Sequence, residues 1–219
     1  MPLSAFINKI RVHSFDYSKD EWNKLKQDRS SLDIKMTCCE NRGILKTSRL
    51  GTHFFVHYRK GDCHSPAESK EHLLAKYIIA KTVHECGWKT FTEFQGETKN
   101  NEAWIADVYA EKGNGKIAFE IQLSPQTEDE YWRRQNKYIN SGVRCAWFSK
   151  YRKNNSCLSS EDHYRLPKFS IEFIPNDHQF IVKRFGVELS SFIRGMLSGK
   201  LKMHGLEKKT VKAGLIVAQ

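Results

Sequence analysis

Residues 103–123, AWIADVYAEKGNGKIAFEIQL, constrain the chain more than any other stretch. Two apolar runs, 103–110 and 116–123, flank EKGNGK, where Asn114-Gly115 suits a two-residue hairpin turn because both residues tolerate positive φ. Ser124-Pro125 ends the pairing, since proline has no N–H to give a ladder. The hairpin places Asp107 and Glu120 on neighbouring strands, with Gln122 on the same face as Glu120 and Ala118. Both carboxylates sit among apolar neighbours, Asp107 beside Ala106 and Val108, Glu120 between Phe119 and Ile121. Strands apolar on both faces belong to sheets covered on both sides. A carboxylate buried there alone is costly, so two call for a metal ion, a cation or an exposed face. Hard oxygen donors favour Mg²⁺ or Mn²⁺. The plainer alternative is that both project to solvent.

The flanking segments supply the rest of an α/β layer. SPAESKEHLLAKYIIAKTVHECG reads as a helix, with Ser65 as N-cap, Pro66 in the first turn, Glu68 closing a capping box and Gly87 as the stop. At about 100° per residue, Glu68, His72 and Lys76 share a stripe with Ile79 and Val83. A capping box accounts for Glu68 but not for His72 and Lys76 in an apolar sector. WKTFTEF (88–94) alternates like a strand. Thr127 and Glu130 form a second capping box opening TEDEYWRRQNKYINS, where Tyr131/Tyr138 and Trp132/Ile139 repeat at seven as an aromatic seam. VRCAWFS (143–149) is a further strand. The order helix, three strands, helix, strand predicts a mixed sheet with helices against it. Beyond it, FSIEFIP and HQFIVKRF read as a hairpin and VELSSFIRGMLSG as a short amphipathic helix. The lysine-rich tail from Lys200 is expected to be mobile up to LIVA. Residues 1–64 read as an N-terminal appendage, 65–150 as the core and 151–219 as a C-terminal hairpin, helix and basic tail. Lys19 to Lys35 is charged enough to be solvated.

Within 36–64, Cys38, Cys39, His53, His57 and Cys63 are candidate zinc ligands, His53 and His57 having a spacing used in zinc sites. Adjacent cysteines do not make the C-x₂-C knuckle, so the preferred reading is a plain β-hairpin turning near Leu50-Gly51. Six irregularly spaced cysteines do not resemble a secreted disulfide framework. There is neither a secretory leader pattern nor an 18-residue apolar run. A cytoplasmic protein is expected, with no membrane partner. The net charge of +11 favours a polyanion, nucleic acid first.

ESKEH (68–72) with Lys76, IADV (105–108) and FEIQLS (119–124), followed by Tyr131, Arg134, Tyr138 and Trp147, resemble the competence protein CoiA-like family of the PD-(D/E)XK nuclease superfamily. HFFVH (53–57) and VELSSFIRGMLSGKL extend the likeness over about residues 36–202. The resemblance implies a restriction-endonuclease-like αβββαβ core, with an N-terminal hairpin and a C-terminal helical extension. It implies metal-dependent hydrolysis of DNA phosphodiesters, in DNA uptake, recombination or defence. Asp107, Glu120 and the Ile121 carbonyl would hold Mg²⁺ or Mn²⁺, with Glu68 assisting through water or a second ion. Gln122 stands where the superfamily has lysine; an amide orients water but brings no charge, and Lys76 is the candidate to supply it. His72, Arg134, Lys137 and Tyr138 are candidates for contact with the nucleic acid. The family's C-x₂-C knuckle is not reproduced at Cys38-Cys39. The alternatives are a catalytically weak nucleic-acid-binding factor of the same fold and a zinc-stabilised interaction protein; assembly into homo-oligomers is left open.

Overall fold

A computed structural model describes residues 2–59, 61, 63, 68–152, 166–203 and 216–218, with side chains up to residue 200. An N-terminal layer pairs β1 (Ser4–Ile7) with β2 (Ile10–His13), leads through α1 (Lys19–Gln27), and returns β3 (Ile34–Met36) to the other edge of β1. The hairpin of β4 (Gly43–Thr47) and β5 (His53–His57) follows, antiparallel as expected, with Gly51 at φ +80° in its turn. The segment from Lys19 to Lys35 is not simply solvated. α1 carries Trp22, wholly buried among Ala5, Ile7, Ile34, Met36 and Phe55. Trp22, with Leu25 one turn on, anchors an otherwise charged helix, and two apolar residues in nine are too few to read as a periodic stripe.

The central unit runs α2 (Lys70–Glu85), β6 (Lys89–Glu97), β7 (Ala103–Lys112), β8 (Gly115–Gln122), α3 (Glu128–Asn140), β9 (Arg144–Lys150). After residues 153–165, which are outside the described part, come β10 (Lys168–Ile174), β11 (Gln179–Val182), β12 (Val187–Glu188) and α4 (Leu189–Leu197). β13 (Leu201–Met203) pairs with β14 (Ile216–Ala218), and the lysine-rich segment between them lies outside the described residues. The mixed sheet has seven strands in the order β12-β11-β10-β9-β8-β7-β6. β8, β9 and β10 are parallel neighbours and the remaining pairs are antiparallel. α2 and α4 cover one face, over Val108, Phe119 and Phe148; α3 covers the other, over Ala106, Ala118 and Trp147. The expected two-sided burial of the central strands follows from this. No helix among the described residues is long and apolar enough to cross a membrane.

Three local expectations shift. The β7–β8 turn is Gly113-Asn114, closed by Lys112↔Gly115, with Gly113 at φ +55°. A glycine takes the first turn position there, one residue before the expected pair. α2 starts a turn later than Ser65: Ser69 is its N-cap and accepts from the His72 amide at 3.1 Å, leaving Glu68 just before the helix. Ser65 and Pro66 themselves lie outside the described residues. On α3, Thr127 caps as expected and Tyr131 and Tyr138 are buried, but of the second row Trp132 is only partly buried and Ile139 is 55% exposed, so the seam narrows along the helix.

Candidate active site

The inward stripe of α2 is borne out. Lys76, Ile79 and Val83 are each wholly buried against the sheet, and His72 sits one turn before them. This row meets a fault in the sheet. On β7, Ala110 and Val108 pack under α2 while Ala106 and Trp104 pack under α3, although all four are even-numbered. On β6, Phe91 and Phe94 both pack on the α3 side although three residues apart. A strand that alternates strictly cannot do either. The slip falls on one pair: Thr92↔Val108 and Phe94↔Ala106 are in register, and between them Glu93 faces Asp107 without a ladder pair. Glu93 has φ +52°, a left-handed conformation uncommon for a residue with a Cβ.

The slip turns both carboxylates towards α2. Asp107 Oδ2 accepts from the Ile121 amide at 2.8 Å and lies 3.4 Å from His72 Nε2. His72 Nε2 is also 3.0 Å from the Ile121 carbonyl, and its Nδ1 is 3.7 Å from Glu68 Oε2. Lys76 Nζ donates to both Glu68 oxygens, at 2.7 and 2.8 Å, and to Glu93 Oε1 at 2.8 Å. Glu68, His72 and Asp107 bring one ligand atom each within 4.8 Å of one another. Burial alone would lower the His72 pKa, yet Asp107 and Glu68 raise it to about 9, so an imidazolium stands between the two carboxylates. Burial likewise opposes the ionisation of Asp107 and Glu68, but His72 and Lys76 hold both below their ordinary values.

Glu120 is placed on the other side. It is buried beneath α3, where Arg134 Nη2 donates to Oε2 at 2.6 Å and the Tyr138 hydroxyl donates to Oε1. Tyr138 Oη is also 3.2 Å from the Ile105 carbonyl, and Arg134 stacks 4.8 Å from the Trp147 ring centre. Burial first, then the charge of Asp107, pushes Glu120 up to about 8 against the pull of Arg134 and Tyr138. Gln122 donates to the Ser124 carbonyl at 3.1 Å and lies 3.5 Å from Arg134 Nη1. Lys137 donates to the Ala103 carbonyl at 2.9 Å, on the rim of a cavity of about 370 Å³ that Ile105, Arg133, Arg134 and Tyr138 also line.

Asp107 and Glu120 therefore do not share one face as the hairpin alone implied. The acidic grouping is completed by Glu68 and His72, with the Ile121 carbonyl beside it. Lys76 is likewise not an open charge: its side chain has no exposed surface and its ammonium is directed at Glu68 and Glu93. Glu93 was missed. Its signal is one acidic residue in WKTFTEF, indistinguishable from a solvent-facing strand position. Two carboxylates and a carbonyl make an all-oxygen donor set, which suits Mg²⁺ or Mn²⁺, with the protonated His72 beside them orienting the acids.

A second grouping lies in the N-terminal layer. Cys38, Cys39, His57 and Cys63 bring their ligand atoms within 4.8 Å of one another. Cys38 Sγ is 3.8 Å from Cys39 Sγ and 3.7 Å from Cys63 Sγ, and the two vicinal sulfurs are 3.3 and 3.2 Å from His57 Nε2. Ligands about 2.3 Å from a tetrahedral ion stand about 3.8 Å apart, so these edges have the size of a zinc site. Preference for a plain hairpin is corrected to that extent: the hairpin forms, and its end contributes to a four-ligand cluster. His53 is not a member. It stacks on Trp22 at 4.9 Å, and burial lowers its pKa. Residues four apart on a strand are about 13 Å apart, so the helical i, i+4 zinc spacing does not transfer to β5.

The family model described as competence protein CoiA, nuclease-like domain, matches residues 68–193, more than half of the chain, beginning at Glu68. Among solved structures, one titled as a protein of unknown function, AF1548, is similar at 17% identity with a TM-score of 0.30, over 38% of this chain and 50% of that one. A likeness of that size carries no argument about the site. No curated protein matches the chain.

Proposed function

The chain belongs to the CoiA nuclease-like family, and from that premise we propose that it is a Mg²⁺- or Mn²⁺-dependent DNA nuclease with a restriction-endonuclease-like core, acting in the cytoplasm in DNA uptake, recombination or defence. The observation that carries the reading is the convergence of Glu68, His72 and Asp107 beside the Ile121 carbonyl, at a fault in an otherwise regular sheet. Asp107, Glu68 and the Ile121 carbonyl would hold the ion, with Glu120 as the further acid across the sheet. A divalent ion held there supplies Lewis-acid activation of water and neutralises charge developing on the phosphate. The protein's own groups do the rest. Asp107 is oriented by the Ile121 amide, so its outer lone pairs keep a fixed direction. Burial pushes the Glu120 carboxyl up to about 8, and Arg134 beside it is a cation able to meet a phosphate oxygen. Gln122 carries no charge and serves through hydrogen bonding. Arg133, Arg134 and Lys137 rim the adjoining cavity, and the +11 charge favours DNA as the partner.

The Cys38, Cys39, His57, Cys63 cluster supports a structural Zn²⁺ alongside the catalytic ion, because three thiols and an imidazole are a soft donor set. A second reading, a nucleic-acid-binding factor with weak catalysis, is favoured by one observation: both Glu120 oxygens are engaged by Arg134 and Tyr138. Incubating single-stranded, duplex and branched DNA with Mg²⁺ or Mn²⁺ separates the two. Cleavage that chelation and Asp107→Ala abolish supports the nuclease. Salt-sensitive binding with no cleavage of any substrate replaces it with the second reading.

A further inference from the structure

The fully buried ammonium of Lys76 is the unusual feature of this site. Lysine is among the residues least often buried completely, and a buried ammonium persists only when carboxylates surround it. Here Glu68 grips it with both oxygens at 2.7 and 2.8 Å, and Glu93 closes from the opposite strand at 2.8 Å. The charge of Asp107 also stabilises it, after Glu93 and Glu68. Reaching it costs the backbone something: Glu93 stands at φ +52° in the middle of the antiparallel pairing of Lys89–Glu97 with Ala103–Glu111, at the position where β6 and β7 change faces together. Non-glycine residues held in such conformations are strained and persist where the surroundings demand them. Three carboxylates, Glu68, Glu93 and Asp107, thus surround a cation that is covalently part of the chain.

We propose that Lys76 is a built-in second cation: its ammonium takes the place that a second divalent ion would occupy between Glu68 and Glu93, so the site binds one exchangeable ion, at Asp107. Glu93 is then a positioning residue that acts through Lys76 on Glu68. The inference rests on the metal-dependent reading above and replaces the second-ion role first expected of Glu68. A Lys76 that merely stabilises the fold would leave no vacancy of divalent character when removed. A Lys76 that stands in for an ion leaves Glu68 and Glu93 facing each other without the ammonium between them, a hard-oxygen site of the kind divalent ions fill.

The test counts Mn²⁺ bound to the full chain by equilibrium dialysis with electron paramagnetic resonance, and follows thermal unfolding with and without Mn²⁺. Mn²⁺ retained by Asp107→Asn is subtracted as binding elsewhere. Wild type should bind one ion, and Glu93→Gln, which keeps the ammonium, should also bind one. Lys76→Met should bind two, with a larger Mn²⁺-induced rise in unfolding temperature than wild type, and Lys76→Met/Glu93→Gln should return to one. If Lys76→Met folds only with Mn²⁺ present, that requirement, absent in Lys76→Met/Glu93→Gln, supports the inference equally. Two ions in wild type, falling to one in Glu93→Gln, would overturn it while leaving the nuclease reading intact. So would a folded Lys76→Met that binds no more than wild type. No Mn²⁺ bound to wild type sinks the metal-dependent reading and this inference with it.

Discussion

Gly96→Ala should weaken the fold through the wall behind Glu120. Gly96 lies directly across β6–β7 from Trp104, whose ring lies over it. A Cβ built on Gly96 would sit 2.1 Å from Trp104 Cζ2, 2.4 Å from Cη2 and 2.5 Å from Cε2. The backbone of Gly96 is not in the left-handed region, so the cost is steric rather than conformational. Trp104 has little room to yield. It is 8% exposed, its indole N–H donates to Ser141 Oγ at 2.8 Å, and its ring stands 5.0 Å from Tyr138. Overfilling a packed site costs about 1–3 kcal/mol. Losing the indole hydrogen bond adds about 1 kcal/mol. Alanine recovers roughly 0.5–1 kcal/mol by restricting the unfolded chain. The net expectation is a loss of about 1–3.5 kcal/mol, or a fall in Tm of roughly 2–14 °C for a domain this size. Urea unfolding followed by tryptophan fluorescence measures it, and near-UV circular dichroism reports the ring's displacement. A loss under about 0.5 kcal/mol with an unchanged near-UV spectrum would refute the claim that Trp104 is immovably seated. DNA cleavage should fall too, because Tyr138 leans on Trp104 and donates to Glu120.

Two further outcomes follow from charge and ligation. Glu120 is raised from 4.5 to about 8 and His72 from 6.5 to about 9 in the folded protein. A raised folded pKa means stability that is complete below the unfolded value and lost as pH rises through the folded one. Below pH 6.5 the loss from Glu120 is offset by His13, which burial lowers from 6.5 to about 4, so the metal-free protein should lose stability between pH 6.5 and 9; Glu120→Gln should reduce the part of that loss below pH 8, and a profile rising between 6.5 and 9 would contradict the placement of both groups. Zinc analysis of purified protein should find one equivalent, lost in His57→Ala and Cys39→Ser but kept in His53→Ala. Equal loss from the two histidine variants would mean that the cluster around Cys38 is wrongly composed.

The central unit was legible because its signals are local and repeated. The hairpin has a turn dipeptide between two apolar runs, α2 has a stripe ending in Gly87, and α3 has a capping box. Each is read from a few neighbours, and each formed with its ends moved by at most one turn. Ser69 displaced Ser65 because both are serines standing three residues before a residue whose amide needs a partner, and local chemistry does not choose between adjacent turns. The N-terminal layer was less legible for a different reason. Trp22 is one buried ring in KDEWNKLKQ, and the cysteines meet only because β3, β4 and β5 fold over one another. Ligands gathered by tertiary structure leave no fixed spacing.

The site itself was half legible, and the missing half has one cause. With regular alternation, Asp107 would project beside Tyr109 towards α3, directly across from Glu120, and the two carboxylates would compete for Arg134. The paired slip at Glu93 and Asp107 prevents this. It sends two carboxylates to α2, where Lys76 and His72 wait, and leaves Glu120 alone with Arg134 and Tyr138. The charge of Asp107 still raises Glu120 across the sheet, but the slip gives each acid its own cation, His72 for Asp107 and Arg134 for Glu120. Glutamate has no special liking for positive φ, and nothing in TFTEF announces the slip. What the stretch does contain is Glu93 at the one position from which a side chain crosses to Lys76. The strain at Glu93 and the burial of Lys76 are therefore two sides of one arrangement, and removing either should release the other.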